Sequence, residues 1–374
     1  MPLPTAPTET SSSLARVSAK EMRIAVGNTP APVEQTEAWE RFERSMGRSL
    51  FGRYVYVADG RPTAALALYR YEVHGQTFLW AKHGPVWLKE QTPEREAELR
   101  ALLLAEVRRR EPRTAFIRLH ARFQAPGLHE LLSTITYDRT VVIDLTPGTP
   151  EAMSDAMPKD GRRGVRRAER VAREAGCTIA EETGLDRAAF DEVYDVMVET
   201  ARRDGFRPHP SEVYWRLLTE LGPEHARLFV LRKDGEPHAW DLVTVVGRHA
   251  VAYYGASSNA SRGFRAAEAL DWFVACTLAE EGKVGFDLMG AESSRVPSLY
   301  SVGRYKKRFA KHATEVDGAW DLPVRPVLYA GMVAAKRTRT TLRRDVEPRA
   351  RAGAAAVARA LRTTVGALGR GARS

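Results

Sequence analysis

The chain has 374 residues, 44% hydrophobic and 28% charged, with a formal net charge of +10, which is room for two domains of ordinary globular composition. Cys177 and Cys276 stand about a hundred positions apart with no metal-ligand spacing, which excludes a disulfide framework and a zinc site and fits a reducing compartment. The excess charge is local: residues 331–374 hold eleven Lys/Arg against Asp345 and Glu347, so the net charge says little about the near-neutral body.

In chain order, residues 1–22 are rich in Ser, Thr and Pro, lack an apolar h-region, and read as a disordered leader rather than a signal peptide. The folded body is expected from about Met22 to Val327. Residues 53–65, RYVYVADGRPTAA, carry an apolar run into Asp59-Gly60, a strong hairpin signal. A second apolar stretch, a turn at His74-Gly75 and a third strand complete a three-strand meander. PEREAELRALLLAEVRRR (93–110) then carries apolar positions on one helical face. RRGVRRAERVAREAGC (162–177) opens as a basic helix with a thin apolar stripe at Val165, Ala168 and Val171. Phe190, Val193, Tyr194, Met197 and Ala201 follow at helical spacing.

The meander then returns. Residues 228–240, LFVLRKDGEPHAW, repeat the Asp-Gly-x-Pro-x-Ala turn at Asp234–Ala239, and Gly247-Arg248 marks the next one. Leu270, Phe273, Val274 and Leu278 mark another helix, and VGFDLMG (284–290) a short buried strand. Two meanders 175 residues apart, each flanked by helices, predict two α/β (α+β) domains of one fold, with mixed, mostly antiparallel sheets. That is the layout of the GNAT acyltransferase fold, present twice. No apolar run approaches the 18 residues of a membrane span, PVLYAGMVAA (326–335) being among the longest. A soluble, cytoplasmic protein is expected.

A GNAT domain that uses acetyl-CoA holds the pyrophosphate on a turn of the type Arg/Gln-x-x-Gly-x-Gly/Ala at a helix N-terminus. SNASRGFRAAEA (258–269) departs from it, because Ala260 and Arg265 flank Gly263 at the required positions; HGPVWLKEQTPERE (83–96) departs as well. No coenzyme, no metal and no covalent nucleophile is expected.

The body resembles the FemABX family of tRNA-dependent aminoacyltransferases, on motifs in order across residues 33–327. They are PVEQTEAW (32–39), HGPV (83–86), the basic run at 162–177, ETARRDGF (199–206), VAYYGASSNASR (251–262), FDLMG (286–290) and YKKRF (305–309). The resemblance implies tandem GNAT-like domains, with the end of the body returning to complete the first. The expected boundaries are 23–147 plus about 312–330, then 148–311, then a basic Ala/Arg-rich tail, 331–374. It implies transfer of an amino acid from aminoacyl-tRNA to the stem-peptide amine of a peptidoglycan precursor, lipid II or UDP-MurNAc-pentapeptide.

The family's last motif places a lysine by the reacting ester, and its counterpart here is Tyr305-Lys306. Lysine is scarce in this chain: only ten stand among 57 Lys plus Arg, yet Lys306, Lys307 and Lys311 fall within six residues. A compact ammonium differs from guanidinium in charge density and in how readily its pKa shifts. Aminolysis of an ester needs an unprotonated amine, a close approach and a stabilised oxyanion, and Lys306 is the candidate for the last, with Tyr305 beside it at the tRNA end. Arg163, Arg166, Arg167 and Lys307 are candidate tRNA contacts. Trp39, Arg207, Tyr214 and Tyr254 are candidate substrate contacts. Where family members carry Asp-Pro after a strand this chain has His120-Ala121, so deprotonation falls to His120, to the substrate, or to no group of the protein. The tail is a candidate for contact with an anionic membrane surface or with tRNA. Two other readings stay open: a tRNA-independent GNAT-type N-acyltransferase, and a non-enzymatic RNA-binding protein.

Overall fold

In a computed structural model, which describes residues 12–132 and 136–338, both Asp-Gly dipeptides turn hairpins. Asp59, Gly60, Asp234 and Gly235 all have positive φ, the backbone twist that joins right-twisted strands through two residues. The elements run β1 (Ser13–Val17), α1 (Ala19–Val26), α2 (Glu37–Ser45), β2 (Leu50–Ala58), β3 (Arg61–Val73), β4 (Gln76–Trp80), β5 (Val86–Trp87), α3 (Pro93–Arg110) and β6 (Phe116–Ala121). They continue with β7 (Arg139–Asp144), α4 (Pro150–Ala156), α5 (Lys159–Glu174), β8 (Cys177–Glu181), α6 (Arg187–Asp204), α7 (Ser211–Leu221), β9 (Ala226–Lys233), β10 (Glu236–Val246) and β11 (His249–Ser257). The last are α8 (Ala266–Glu280), β12 (Gly285–Gly290), α9 (Tyr300–Lys306), β13 (Thr314–Glu315) and β14 (Gly318–Pro323).

Two sheets result, ordered β1-β2-β3-β4-β6-β14, with β5 also on β3, and β13-β7-β12-β11-β10-β9-β8. All pairings are antiparallel except β4 with β6 and β11 with β12. The meander β2-β3-β4, the helix α3 and the parallel strand β6 match β9-β10-β11, α8 and β12 step for step. Each sheet takes a further strand from chain that has left the other half. β14, which follows the second half, pairs with β6, and β7, which follows the first, pairs with β12.

The halves share a core. Trp39, Phe42, Val55 and Tyr69 of the first pack in one cluster with Phe190, Leu217, Trp240 and Leu242 of the second. Separate clusters lie under α3 and between α5, α8 and the second sheet.

Two expected boundaries are corrected. Residues 13–22 are not leader: β1 pairs with β2 along its whole length, and a reciprocal Ser18/Glu21 capping box starts α1. The first half ends before β7, not at 147, because β7 lies in the second sheet. The rest of the leader, residues 1–11, lies outside the described residues. The chain divides into a unit ending at Val324 and another starting at Arg325. The second unit is helical over 326–338, and the tail beyond 338 lies outside the described residues. No helix among the described residues is long and apolar enough to cross a membrane.

Candidate active site

β11 and β12 run parallel only from His249–Val251 beside Gly285–Asp287. Beyond that point they pair no further, and a cleft of about 1020 Å³ lies along their C-terminal halves. Its walls are Ala252–Ser257 of β11, Leu288 and Met289 of β12, the end of α6 with the loop to His209, Leu270 and Asp271 of α8, and Tyr305 and Lys306 of α9. Ligands of open α/β sheets bind where strand ends diverge in this way.

α9 approaches the β12 end closely because Gly303 has no side chain: a Cβ there would stand 1.8 Å from Oε2 of Glu292. This approach aims Lys306 inward. Its Nζ donates to the carbonyls of Met289 at 3.0 Å and Gly290 at 3.1 Å. Met289 has a φ of 62°, a left-handed conformation that a non-glycine residue holds only when its surroundings impose it, often at a functional site. Burial lowers the Lys306 pKa from its ordinary 10.5, opposed by the charges of Asp271 and Asp287. Tyr305 is half-buried, and its hydroxyl donates to Asp271. Burial and then the Asp271 charge push its pKa well above 10.0.

Of the other expected residues, Tyr214, Tyr254 and Arg207 line the same cleft. Tyr214 and Tyr254 stand edge to face at 4.6 Å, and burial raises both phenols, Tyr214 to about 12. Arg207 is exposed on the loop after α6. Trp39 is a correction: 2% exposed, it lies in the shared core with the Lys82 ammonium 4.9 Å from its ring centroid, and lines neither this cleft nor its neighbour.

Arg163, Arg166 and Arg167 are on the exposed face of α5 and do not line the cleft. The buried face of α5 is Gly161, Gly164, Val165, Ala168 and Ala172. A Cβ at Gly161 would stand 1.7 Å from the Arg308 carbonyl oxygen, so the basic helix abuts the segment after α9. Lys307 is 43% exposed and ion-paired with Glu292.

Three further groups line the cleft, of which Asp241 and Asp271 were not candidates from the sequence. His209 is exposed by area, yet the burial of its ring and then the Lys82 and Arg48 charges lower its pKa from 6.5, which favours the neutral imidazole. Asp241 of β10 and Asp271 of α8 are each 8% exposed, and their carboxyls are close enough to act on each other's titration. Burial raises both. Nothing in the local sequence flags them, since each is a lone carboxyl in an apolar run and only the packing of α8 on β10 unites them.

A second cavity of about 390 Å³ shares Tyr253 with the cleft. Its wall includes Glu34, His83, His120, Tyr137 and Asp287. Glu34 accepts from the Tyr253 hydroxyl at 2.7 Å and lies 2.8 Å from Nδ1 of His83. Burial would raise its pKa, but the His83 and Lys82 charges and the hydrogen bonds of His83 and Tyr253 outweigh that and carry it down to about 2. His120 donates from Nδ1 to the Asp317 carbonyl at 2.8 Å, and burial, aided by the His83 charge, lowers it to about 3. Among the described residues no cluster of three or more His, Cys, Asp or Glu side chains is arranged to hold a metal ion.

Residues 159–307, which carry all the cleft walls, match the family model of the acetyltransferase (GNAT) domain. That stretch is therefore similar to a GNAT domain. The fold of the chain is similar to the crystal structure of FemX, with a TM-score of 0.66 over 85% of this chain and 99% of that one at 15% identity. It is also similar to the C-terminal domain of a putative lysylphosphatidylglycerol synthetase from Agrobacterium fabrum, with a TM-score of 0.51, 17% identity, and 87% and 98% of the two chains covered. A tandem GNAT protein from the clavulanic acid biosynthesis pathway gives 0.50 at 14% identity over 84% and 99%. No curated protein sequence matches the chain. The α/β fold with two GNAT-like halves is the one expected from the repeated meander.

Proposed function

We propose that the chain transfers an amino acid from aminoacyl-tRNA to the stem-peptide amine of a peptidoglycan precursor, at the cleft between β11 and β12. The observation that carries this reading is the Lys306 ammonium at the point of strand divergence. Two of its three N–H groups are taken by the Met289 and Gly290 carbonyls, which leaves one for a ligand in the cleft. An ammonium fixed in a partly desolvated site is a preorganised partner for an oxyanion.

In the transfer the acceptor amine attacks the ester carbonyl and a C–N bond forms. The carbonyl oxygen becomes an oxyanion beside Lys306, and collapse breaks the bond to the ribose oxygen. The proton lost by the amine passes to His209 and from there to the departing ribose oxygen, so His209 ends neutral; Tyr305, held by Asp271, lines the cleft beside Lys306. No acyl-enzyme is required, since the ester is already activated. The second cavity, meeting the cleft at Tyr253, gives the acceptor its own entrance.

The donor is assigned to tRNA on two grounds. One is the motif resemblance to the FemABX family, supported by the likeness in fold to FemX. The other is the turn before α8, where a coenzyme-using GNAT domain holds pyrophosphate. Here the turn is a 3-10 segment, Ala260–Phe264, followed by Arg265 at φ 55°, whose guanidinium pairs with Glu268 across the first turn of α8.

The test offers radiolabelled aminoacyl-tRNAs with lipid-linked and nucleotide-linked pentapeptide precursors, with and without ribonuclease. Label that reaches either precursor and is abolished by ribonuclease supports the reading. Ribonuclease-insensitive transfer from another acyl donor would replace it with a tRNA-independent N-acyltransferase.

A further inference from the structure

The carboxyl pair in the cleft has a chemistry that the transfer step itself does not consume. Asp241 and Asp271 are nine-tenths buried yet line the cleft beside Lys306. Asp241 is held in place by its neighbour across the ladder: it pairs with Gly255, where a Cβ would stand 2.6 Å from its Oδ1. Glycine at 255 is thus what leaves room for the carboxyl. Oδ2 of Asp271 accepts from the Tyr305 hydroxyl, whereas Oδ2 of Asp241 is buried and meets no hydrogen-bond donor. A buried carboxylate oxygen without a donor is costly, and a ligand N–H relieves it.

We infer that Asp241 and Asp271 form the subsite for the α-ammonium of the aminoacyl donor, an assignment that rests on the transfer proposed above. An aminoacyl ester carries its ammonium one carbon from the carbonyl that reacts. A site that holds the carbonyl oxygen at Lys306 therefore needs an anion next to that lysine, and Asp271 is close enough to act on its charge. The mutual repulsion of the two carboxyls favours one shared proton, leaving one negative charge for one ammonium.

The subsite also solves a problem peculiar to this chemistry. Two amines meet in the reaction, and only the acceptor is to be a nucleophile. An α-amine titrates near pH 7.7–8.0 in the absence of a partner, roughly at the pH of the cell. Holding it as ammonium against a carboxylate keeps it from competing with the acceptor. A simple acyl donor, such as an acetyl group, has nothing to place there.

The experiment compares a pool of radiolabelled aminoacyl-tRNAs with the same pool deaminated by nitrous acid, in which a hydroxyl replaces each α-ammonium. Wild-type protein is expected to transfer from the native pool roughly ten- to a hundredfold faster, the worth of one charge-assisted hydrogen bond. In Asp241→Asn, with its melting temperature checked, that ratio is expected to fall towards one. Equal use of both pools by the wild type would overturn the subsite while leaving tRNA-dependent transfer intact, with the carboxyls then serving only to orient Tyr305. A ratio unchanged in folded Asp241→Asn would also overturn it, because the ammonium would be read elsewhere. No transfer from either pool would overturn the transfer reading and the subsite with it.

Discussion

Lys306 is a cation in surroundings that favour its neutral form, and His209 a base in surroundings that favour its free lone pair. That combination fixes the pH dependence expected of the cleft. His209 must be neutral, so activity is lost as pH falls through its pKa, which lies below 6.5. Lys306 must be charged, so activity is lost as pH rises through a pKa below 10.5. The profile of kcat/KM should be bell-shaped, with Lys306→Met removing the alkaline limb and His209→Gln the acid one. An alkaline limb that survives in Lys306→Met would belong to the acceptor amine or another group. At this scale the sequence was informative where composition made a residue conspicuous. Lysine is rare in the chain, so the cluster after Tyr305 stood out. His209, Asp241 and Asp271 come from a loop, a strand and a helix, and only tertiary packing unites them. Trp39 is the converse case, an aromatic in a family-like motif that the structure uses for packing.

The strand β14 carries a disproportionate share of the first sheet. Its Asp321 meets Arg118 of β6 through two hydrogen bonds, Nε–Oδ1 at 2.7 Å and Nη2–Oδ2 at 3.1 Å, with both side chains fully buried. It also accepts from the Leu132 amide. Removing one member of a buried pair leaves the other uncompensated, so Asp321→Ala should cost about 3–5 kcal/mol of unfolding free energy in urea titration. A cost under about 1 kcal/mol would show that water reaches Arg118 in the folded state. A chain ended at 312 should bare the β6 edge and aggregate, where one ended at 324 stays soluble; sedimentation distinguishes the two. The hairpins were legible because Asp-Gly states its own backbone conformation. The first strand was not, because SLARV is short and weakly apolar. The Ser18-x-x-Glu21 box after it was the available signal that a helix, and hence ordered chain, begins there.

Across the whole molecule, the Glu34 cluster ties the halves together, since Glu34 precedes α2 and its partner Tyr253 lies on β11. Its titration sets an acid limit on stability. His120 is lowered from 6.5 to about 3, so the unfolded chain binds that proton first and stability falls as pH drops through this window. Glu34 is lowered from 4.5 to about 2, so its contribution, full above 4.5, is lost as pH falls further. Melting temperature should therefore decline continuously from pH 6.5 downward. His120→Asn, which keeps a donor near the Nδ1 position, should flatten the upper part of that decline; an unchanged slope would assign it to other groups. The repeat of the meander revealed the duplicated architecture, but not the exchange of strands. A run such as RTVVID suits either sheet equally, and its place in the second is decided by β12 lying free beside it. The most direct test of the whole account is single-turnover transfer from labelled aminoacyl-tRNA by wild type and Lys306→Met, matched for melting temperature. The account predicts a loss of roughly 10²–10³ in rate, as for removal of an oxyanion-hole donor. A variant that transfers at the wild-type rate would contradict it.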